Sequence, residues 1–281
     1  MSGGRAIAYH SVVTLASMRL GLIALLAVTA CALAQAPPPV FLEELTSPEL
    51  KRAIDAGRTI VLVPIGGTEQ NGPHMTLGKH NARVRVLAER IARTLGNALV
   101  APVVAYVPEG GVAPPQAHMR FPGTITVPDA AFETTLEYAA RSFRLHGFRD
   151  IVFLGDHGGY QKDLKAVADR LNREWAATPV RVHAVEEYYR AAGDDYAKLL
   201  AKQGYRADEI GTHAALADTS LSLALDPQSV RIDQLPAAAS GGRAAGVYGD
   251  PRRASAEIGK AGADLIVEEA VAAIRKAVAK R

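Results

Sequence analysis

The chain has 281 residues, of which 48% are hydrophobic and 22% are charged, and its formal net charge is +3. This is the composition of an ordinary globular protein that is large enough to bury a substantial core. Lysine and arginine are scattered among acidic residues rather than gathered in blocks, which argues against a nucleic-acid partner.

The N-terminal segment has the pattern of an export signal. Arg19 precedes an apolar run from Leu20 to Ala34, and small residues and prolines follow. The run has the length of a signal-peptide core and is short for a membrane span. We therefore expect residues 1–36 to be a signal peptide, residues 37–281 to form one domain, and the protein to be periplasmic or secreted.

Cys31 is the only cysteine, and it lies in "VTAC", which resembles a loose lipoprotein-processing box. It is either the site of a lipid anchor or a small apolar residue within the signal, and no other membrane attachment is expected. Cleavage after Ala34 or Ala36 leaves a mature chain without cysteine. Disulfides and thiolate metal ligands are then excluded, so any metal must be held by His, Asp or Glu.

From about residue 40 the sequence alternates between strand and helix patterns. Because the predicted strands are apolar throughout, they indicate an α/β protein with a mainly parallel sheet covered on both faces. The predicted elements, in chain order, are strand 59–66, helix 82–96, strand 98–106, helix 129–147, strand 149–156, helix 162–177, strand 180–186, a helix within 213–225 and a closing helix 251–280.

Two segments do not fit this alternation. Residues 186–212 are charged and rich in tyrosine, which predicts a lid or a subunit-contact insertion. Residues 236–246, "PAAASGGRAAG", are small and glycine-rich, which predicts a flexible loop.

Histidines and a glutamate follow two of the predicted strands. The stretch "GGTEQNGPHMTLGKHN" contains Glu69, His74 and His80, and "FLGDHGGY" contains His157. The carboxyl ends of parallel strands meet at one edge of a sheet, so the two loops are expected to converge.

Glu69, His80 and His157 are predicted to hold one divalent cation per chain. A carboxylate with two imidazoles suits Zn²⁺, and also Mn²⁺ or Fe²⁺, and leaves a position open for water. Asp218 is predicted to be a fourth ligand or the general base, and His213 to shuttle a proton. His118, in "AHMRFPGTI", either anchors its loop or takes part in catalysis, while His74 is as well explained as a hydrogen-bonded loop residue.

Five motifs in order resemble the creatininase (creatinine amidohydrolase) family over residues 42–275. They are "GGTEQNGPHMTLG", "HMRFPGTI", "HGFRDIVFLGDHGG", "THAALADTS" and "GVYGDPRRASAEIGK". The resemblance implies a three-layer α/β/α sandwich with a mainly parallel sheet, often assembled as a hexamer. It also implies metal-dependent hydrolysis of a non-peptide C–N bond in a small-molecule substrate.

The sequence departs from the family where a second metal would bind. Asn71 replaces a histidine, His80 replaces a bridging aspartate, Gly159 stands where creatininase has a glutamate, and Leu216 and Asp218 replace glutamates of a later motif. A neutral imidazole cannot bridge two cations as a carboxylate can. We therefore expect a mononuclear site, and the loss of one negative charge favours zinc.

These observations predict an exported, metal-dependent hydrolase of a small linear or cyclic amide. Creatinine itself is disfavoured because the two-metal site is altered. The alternatives are hydrolysis of a lactone or ester, a non-catalytic small-molecule-binding protein on a degenerate fold of the same family, and a metal that serves stability alone.

Overall fold

Four parallel strands form the central sheet, in the spatial order β2-β1-β3-β4. They span Ile60–Ile65 (β1), Ala98–Val100 (β2), Asp150–Gly155 (β3) and Arg181–Ala184 (β4). β1 and β3 pair over their full length, with Ile60 opposite Asp150 and Ile65 opposite Gly155. The two strands therefore end side by side, and the loops that leave them start at neighbouring points.

The computed structural model of the protein describes Met1 and residues 38–279. The predicted signal peptide lies outside these residues, apart from Met1. Residues Pro39–Arg281 form one compact unit. No helix in the described part of the chain is both long and apolar enough to span a membrane.

Ten α-helices are present among the described residues. They are α1 Ser47–Asp55, α2 Lys79–Leu95, α3 Asp129–Leu145, α4 Gln161–Glu174, α5 Glu186–Arg190, α6 Tyr196–Lys202, α7 Ala207–Ile210, α8 Leu216–Leu225, α9 Leu235–Gly241 and α10 Ala256–Val278. Short 3-10 turns occur at Ala117–Arg120 and Gly158–Tyr160, and a π-helical turn at Ala191–Asp195 joins α5 to α6.

Helices cover both faces of the sheet because successive strand residues point to opposite sides. Leu62 and Val152 pack in one buried cluster with apolar residues of α2 and α10. Val61 and Phe153 pack in a second cluster with residues of α3 and α4. The prediction of a three-layer α/β/α sandwich with a parallel sheet is confirmed.

Two predicted elements were wrong in extent or type. The strand predicted over 98–106 ends at Val100, because Pro102 has no N–H to continue the ladder, although Ile65 and Val104 form an isolated parallel bridge. Residues 236–246 are not a flexible loop: Pro236 lies in the first turn of α9, and a 3-10 turn follows over Gly242–Ala245. Proline at a helix start and the good helix former alanine explain this outcome.

The charged segment 186–212 folds into α5, α6, α7 and the π-helical turn. Tyr188, Tyr196 and Leu200 are completely buried, and they belong to the same core cluster as α10. The hydroxyl of Tyr196 donates to the carbonyl oxygen of Ile258 on α10 (3.0 Å). The segment therefore contributes Tyr188, Tyr196 and Leu200 to the core.

Candidate metal centre

The loops after β1 and β3 meet at the carboxyl edge of the sheet. Glu69 follows β1, His157 follows β3, and Nε2 of His157 lies 3.5 Å from Oε2 of Glu69. The hydroxyl of Tyr160 fixes the two loops together, because it donates to the carbonyl oxygens of Ile65 and Gly66 (2.8 and 2.6 Å) and accepts from the backbone N–H of His157 (3.1 Å).

Three potential ligand atoms converge here, one each from Glu69, His118 and His157, all within 4.8 Å of one another. Nε2 of His118 is 3.3 Å from Oε2 of Glu69. Glu69 is completely buried, and its Oε2 accepts no hydrogen bond from any described residue. Ligand atoms about 2.1 Å from a tetrahedral ion lie about 3.4 Å apart. The residues present therefore fit a divalent cation.

His80 lies beside this group rather than in it. It sits in the first turn of α2, with Nδ1 at 2.6 Å from Oδ2 of Asp156 and Nε2 at 2.8 Å from Oε1 of Glu69. Burial and Lys79 act to lower the pKa of His80, but the hydrogen bonds to the two carboxylates outweigh them and raise it. Both ring nitrogens of His80 therefore contact carboxylates, and His80 is not one of the three residues that converge; its role as a ligand stays a prediction.

Two buried cations hold Asp218 in place. Lys79 Nζ is 2.8 Å from Oδ2 of Asp218, and Arg83 Nη1 is 2.8 Å from Oδ1. The backbone N–H of Ala214 also donates to Oδ2 (2.9 Å). Although desolvation acts to raise it, Lys79 and Arg83 hold the pKa of Asp218 well below its usual range. This pairing favours a positioning role over the ligand or general-base role expected from the sequence.

His213 packs against His118 of the group, with the two rings tilted by 41° and their centroids 4.4 Å apart. The side-chain nitrogen of Gln70 lies 3.0 Å from Nδ1 of His118 and 3.1 Å from Nε2 of His213, and it donates to the carbonyl oxygen of Gly246 (3.1 Å). Burial is the main cause that lowers the pKa of His118, and burial with Lys79 lowers that of His213 to about 3. Both rings are therefore neutral near pH 7.

Gly246 makes this arrangement possible. Its φ of +75° is unfavourable for other residues, and a Cβ there would lie 1.9 Å from Oε1 of Gln70. The backbone of Gly246 can therefore approach the side-chain amide of Gln70, which also lies beside the rings of His118 and His213.

Asn71 and His74 take no part in the ligand group. The side-chain amide of Asn71 donates to the carbonyl oxygens of Glu69 and Thr76 (both 3.0 Å), so it stabilises the turn. Nε2 of His74 is 3.0 Å from Oγ1 of Thr219, and burial lowers the pKa of His74 to about 4. His74 is the hydrogen-bonded loop residue that the sequence allowed.

Glu109 is a member of the site that the sequence reasoning missed. Its Oε2 lies 3.5 Å from Nε2 of His157, and its side chain is completely buried. Burial, reinforced by the charge of Glu69, raises its pKa to about 8. The signal was present in "VPEGG", an acidic residue followed by glycines after an apolar run, as at the other two loops.

A cavity of about 780 Å³ opens beside the group. His118, His157 and His213 line it, together with Tyr189 and Arg190 of α5. Glu69 and Glu109 do not line it. The imidazoles therefore face the space a substrate would enter, and the two glutamates lie behind them.

Comparison with known proteins agrees with this architecture. The family model described as creatinine amidohydrolase (Creatininase) matches residues 43–274. The chain therefore belongs to the creatininase family, as its motifs predicted.

Two relatives illustrate the range of activities within the family. The chain is 31% identical over 222 residues to a mycofactocin precursor peptide peptidase of Mycolicibacterium smegmatis, covering 72% of this chain and 78% of the relative. It is 28% identical over 204 residues to a creatinine amidohydrolase of Pseudomonas putida, covering 70% and 75%.

Solved creatininase structures have the same fold. One described as creatininase Mn superposes with a TM-score of 0.70 at 26% identity, covering 85% of this chain and 98% of that chain. A mutant creatininase described as Zn-Zn type superposes with a TM-score of 0.69 at 25% identity, with the same coverage. Creatininases thus carry manganese or zinc at this fold.

Proposed function

We propose that this chain is a hydrolase that cleaves an amide C–N bond in a small molecule with one divalent cation, zinc before manganese or iron. Glu69, His118 and His157 would hold the cation. The buried, unpartnered Oε2 of Glu69, with an imidazole nitrogen on each side at 3.3 and 3.5 Å, carries the proposal. A bound divalent cation lowers the pKa of water toward neutrality and polarises a carbonyl.

One cation fits better than two because the other oxygen of Glu69 already faces positive charge. Lys79 Nζ lies 3.6 Å from Oε1 of Glu69, and the ring of His80 lies 2.8 Å from it. A second cation that shared Glu69 would be repelled by the ammonium group. Asn71 stands where the resemblance places a histidine, so the site lacks that imidazole. The side-chain amide of Asn71 instead donates to backbone carbonyl groups of the turn.

His213 is the residue best placed to handle a proton. Its Nε2 lies 3.0 Å from the backbone carbonyl oxygen of Gln70, and its Nδ1 lies 3.6 Å from Oε1 of Glu69. Its low pKa means that it holds a proton only transiently, as transfer to a leaving nitrogen requires. In this proposal Asp218, paired with Lys79 and Arg83, positions Lys79 beside Glu69.

The cavity volume is in the range that suits a small-molecule ligand. A peptide amide is the second candidate substrate, because a peptide peptidase is among the relatives at 31% identity. The same chemistry would serve a lactone or another ester.

We further propose that the protein is exported and that it assembles as a hexamer. Export is supported by the composition of residues 1–36, and the assembly by the family to which the chain belongs.

The test is turnover by purified protein that has been stripped of metal and reloaded with Zn²⁺. A panel of cyclic amides, linear amides, short peptides and lactones would be compared for the wild type, His157→Ala and the exposed control His146→Ala. We expect hydrolysis of an amide by the wild type and His146→Ala, and its loss with His157→Ala. Binding of a panel member without turnover would instead identify a non-catalytic binding protein.

A further inference from the structure

The buried side chain of Glu109 has no hydrogen-bond partner among the described residues. The residue is 4% exposed, and neither of its oxygens accepts a hydrogen bond from any residue between 38 and 279. Burying an unpaired carboxylate costs several kcal/mol, so such groups are normally paired or bound to a metal. The position of Glu109 therefore calls for a partner that residues 38–279 do not supply.

The chain makes room for this carboxylate at the base of the first motif. A Cβ on Gly67 would lie 2.6 Å from Oε1 of Glu109, so only glycine at this position leaves the carboxylate where it is. The backbone N–H of Glu109 donates to Oγ1 of Thr126 (2.9 Å), which anchors the loop. From this anchored backbone the side chain extends to within 3.5 Å of Nε2 of His157.

The surroundings of Glu109 distinguish a ligand from a proton carrier. His157, whose Nε2 is 3.5 Å from Oε2 of Glu109, lines the cavity, whereas Glu109 does not. A group that exchanges protons with a substrate must reach the cavity, but a ligand can approach an ion from behind. Oε2 is also about as far from Nε2 of His157 as two ligand atoms of one tetrahedral ion would be, whereas Glu109 is not among the three residues whose atoms all lie within 4.8 Å of one another.

We infer that Glu109 is a further ligand of the cation held by Glu69, His118 and His157. The inference rests on the proposed function and extends it. Two carboxylates and two neutral imidazoles bring two negative charges to a divalent cation, so the four ligands together balance the charge of the ion. The additional ligand comes from the loop after β2, and no glutamate is then needed at Gly159.

The experiment measures the dissociation constant of Zn²⁺ by competition with a chromophoric chelator, using the metal-free full domain. Glu109→Gln and Glu69→Gln are compared with the wild type. Asp163→Asn is the control, because Asp163 is a buried carboxyl on α4 with an unpartnered oxygen and is not one of the four proposed ligands. We expect the two glutamine variants to bind Zn²⁺ more than about 100-fold more weakly, since losing even an outer partner of a ligand costs about 10- to 100-fold.

Melting of the metal-free proteins separates binding from folding. Metal-free Glu109→Gln should unfold at the same or a higher temperature than the metal-free wild type, because the amide has the same size and the change breaks no hydrogen bond to a described residue. If Glu109→Gln does not fold, Glu109→Asp retains the charge but withdraws the carboxylate by one methylene, and it too should weaken Zn²⁺ binding.

The outcomes separate the two proposals. Wild-type affinity in a folded Glu109→Gln or Glu109→Asp protein would overturn the assignment of Glu109 and leave the proposed hydrolase intact. A wild type that binds no Zn²⁺ would overturn both. Equal losses of affinity in Glu109→Gln and Asp163→Asn would show a general effect of buried acids and would also overturn the assignment.

Discussion

Replacing Lys79 by methionine should destabilise the protein strongly and in a pH-dependent way. The side chain of Lys79 is 1% exposed, and its Nζ lies 2.8 Å from Asp218 and 3.6 Å from Glu69. At an effective dielectric constant of about 20 these distances correspond to attractions of about 6 and about 5 kcal/mol. The desolvation of Lys79 offsets much of this, so we expect a net loss of about 3–5 kcal/mol, as for other buried pairs that lose one partner.

The sign of the pH dependence follows from the two carboxylates. Burial acts to raise the pKa of both Glu69 and Asp218, but Lys79 and neighbouring positive groups hold both values well below the usual range. This part of the stability is present above pH about 4, where unfolded carboxyls ionise, and is lost as pH falls through the folded-state values. Without Lys79 the folded-state pKa values of Glu69 and Asp218 rise, so both carboxylates become protonated at a higher pH than in the wild type. Their protonation removes buried negative charge and therefore reduces the destabilisation of the variant at low pH.

The assay is urea unfolding of the metal-free proteins at pH 7.5 and pH 5.0. We expect the full loss for Lys79→Met at pH 7.5 and a clearly smaller loss at pH 5.0. Lys51→Met is the control, because Lys51 pairs with Asp55 on the surface and should contribute under about 1 kcal/mol. A loss below about 1 kcal/mol for Lys79→Met, or an equal loss at both pH values, would refute the reasoning.

Three further predictions follow from the same site. A saturating chelator should lower the melting temperature, and Zn²⁺ at about 1,000 times its dissociation constant should restore about 4 kcal/mol, measured by thermal unfolding. Gly246→Ala should cost more than Gly204→Ala in urea unfolding, because both glycines have positive φ but only a Cβ at 246 would collide with Gln70, and equal losses would contradict this. The raised pKa of His80 contributes stability that is present below pH about 6.5 and is lost as pH rises through the folded-state value. His80→Gln should therefore lower the free energy of unfolding more at pH 6 than at pH 9. A larger loss at pH 9 would contradict this prediction.

The two strands that position the site were predictable because their cause is local. β1 and β3 are buried on both faces and therefore read as uninterrupted apolar runs, with a glycine turn after each. Parallel pairing then places the two following loops at one edge, which is why Glu69 and His157 were expected to meet. The structure places them 3.5 Å apart.

The rest of the site depends on parts of the chain that have no regular pattern. His118 and Glu109 lie in a long connection between β2 and α3 whose only helical element is a 3-10 turn at Ala117–Arg120. Periodicity gives no path for such a segment, so the approach of His118 to Glu69 and of Glu109 to His157 could not be derived. His80 was expected in a loop, but α2 begins at Lys79, so His80 lies in the first helical turn. From there the ring of His80 faces Asp156 as well as Glu69.

The sequence by itself determined the family, the layered α/β architecture and the two strand-end loops, because motif order, apolar runs and glycine turns are properties of neighbouring residues. Only the tertiary structure decided which donor atoms face one another, that Lys79 and Arg83 enclose Asp218, and that Glu109 lies buried behind His157. These relations join residues far apart in the chain, such as Lys79 and Asp218, which are 139 positions apart. A difference of an ångström decides whether a side chain pairs with a neighbour or faces an ion. Such distances are set by the packing of the whole domain, which no local pattern encodes.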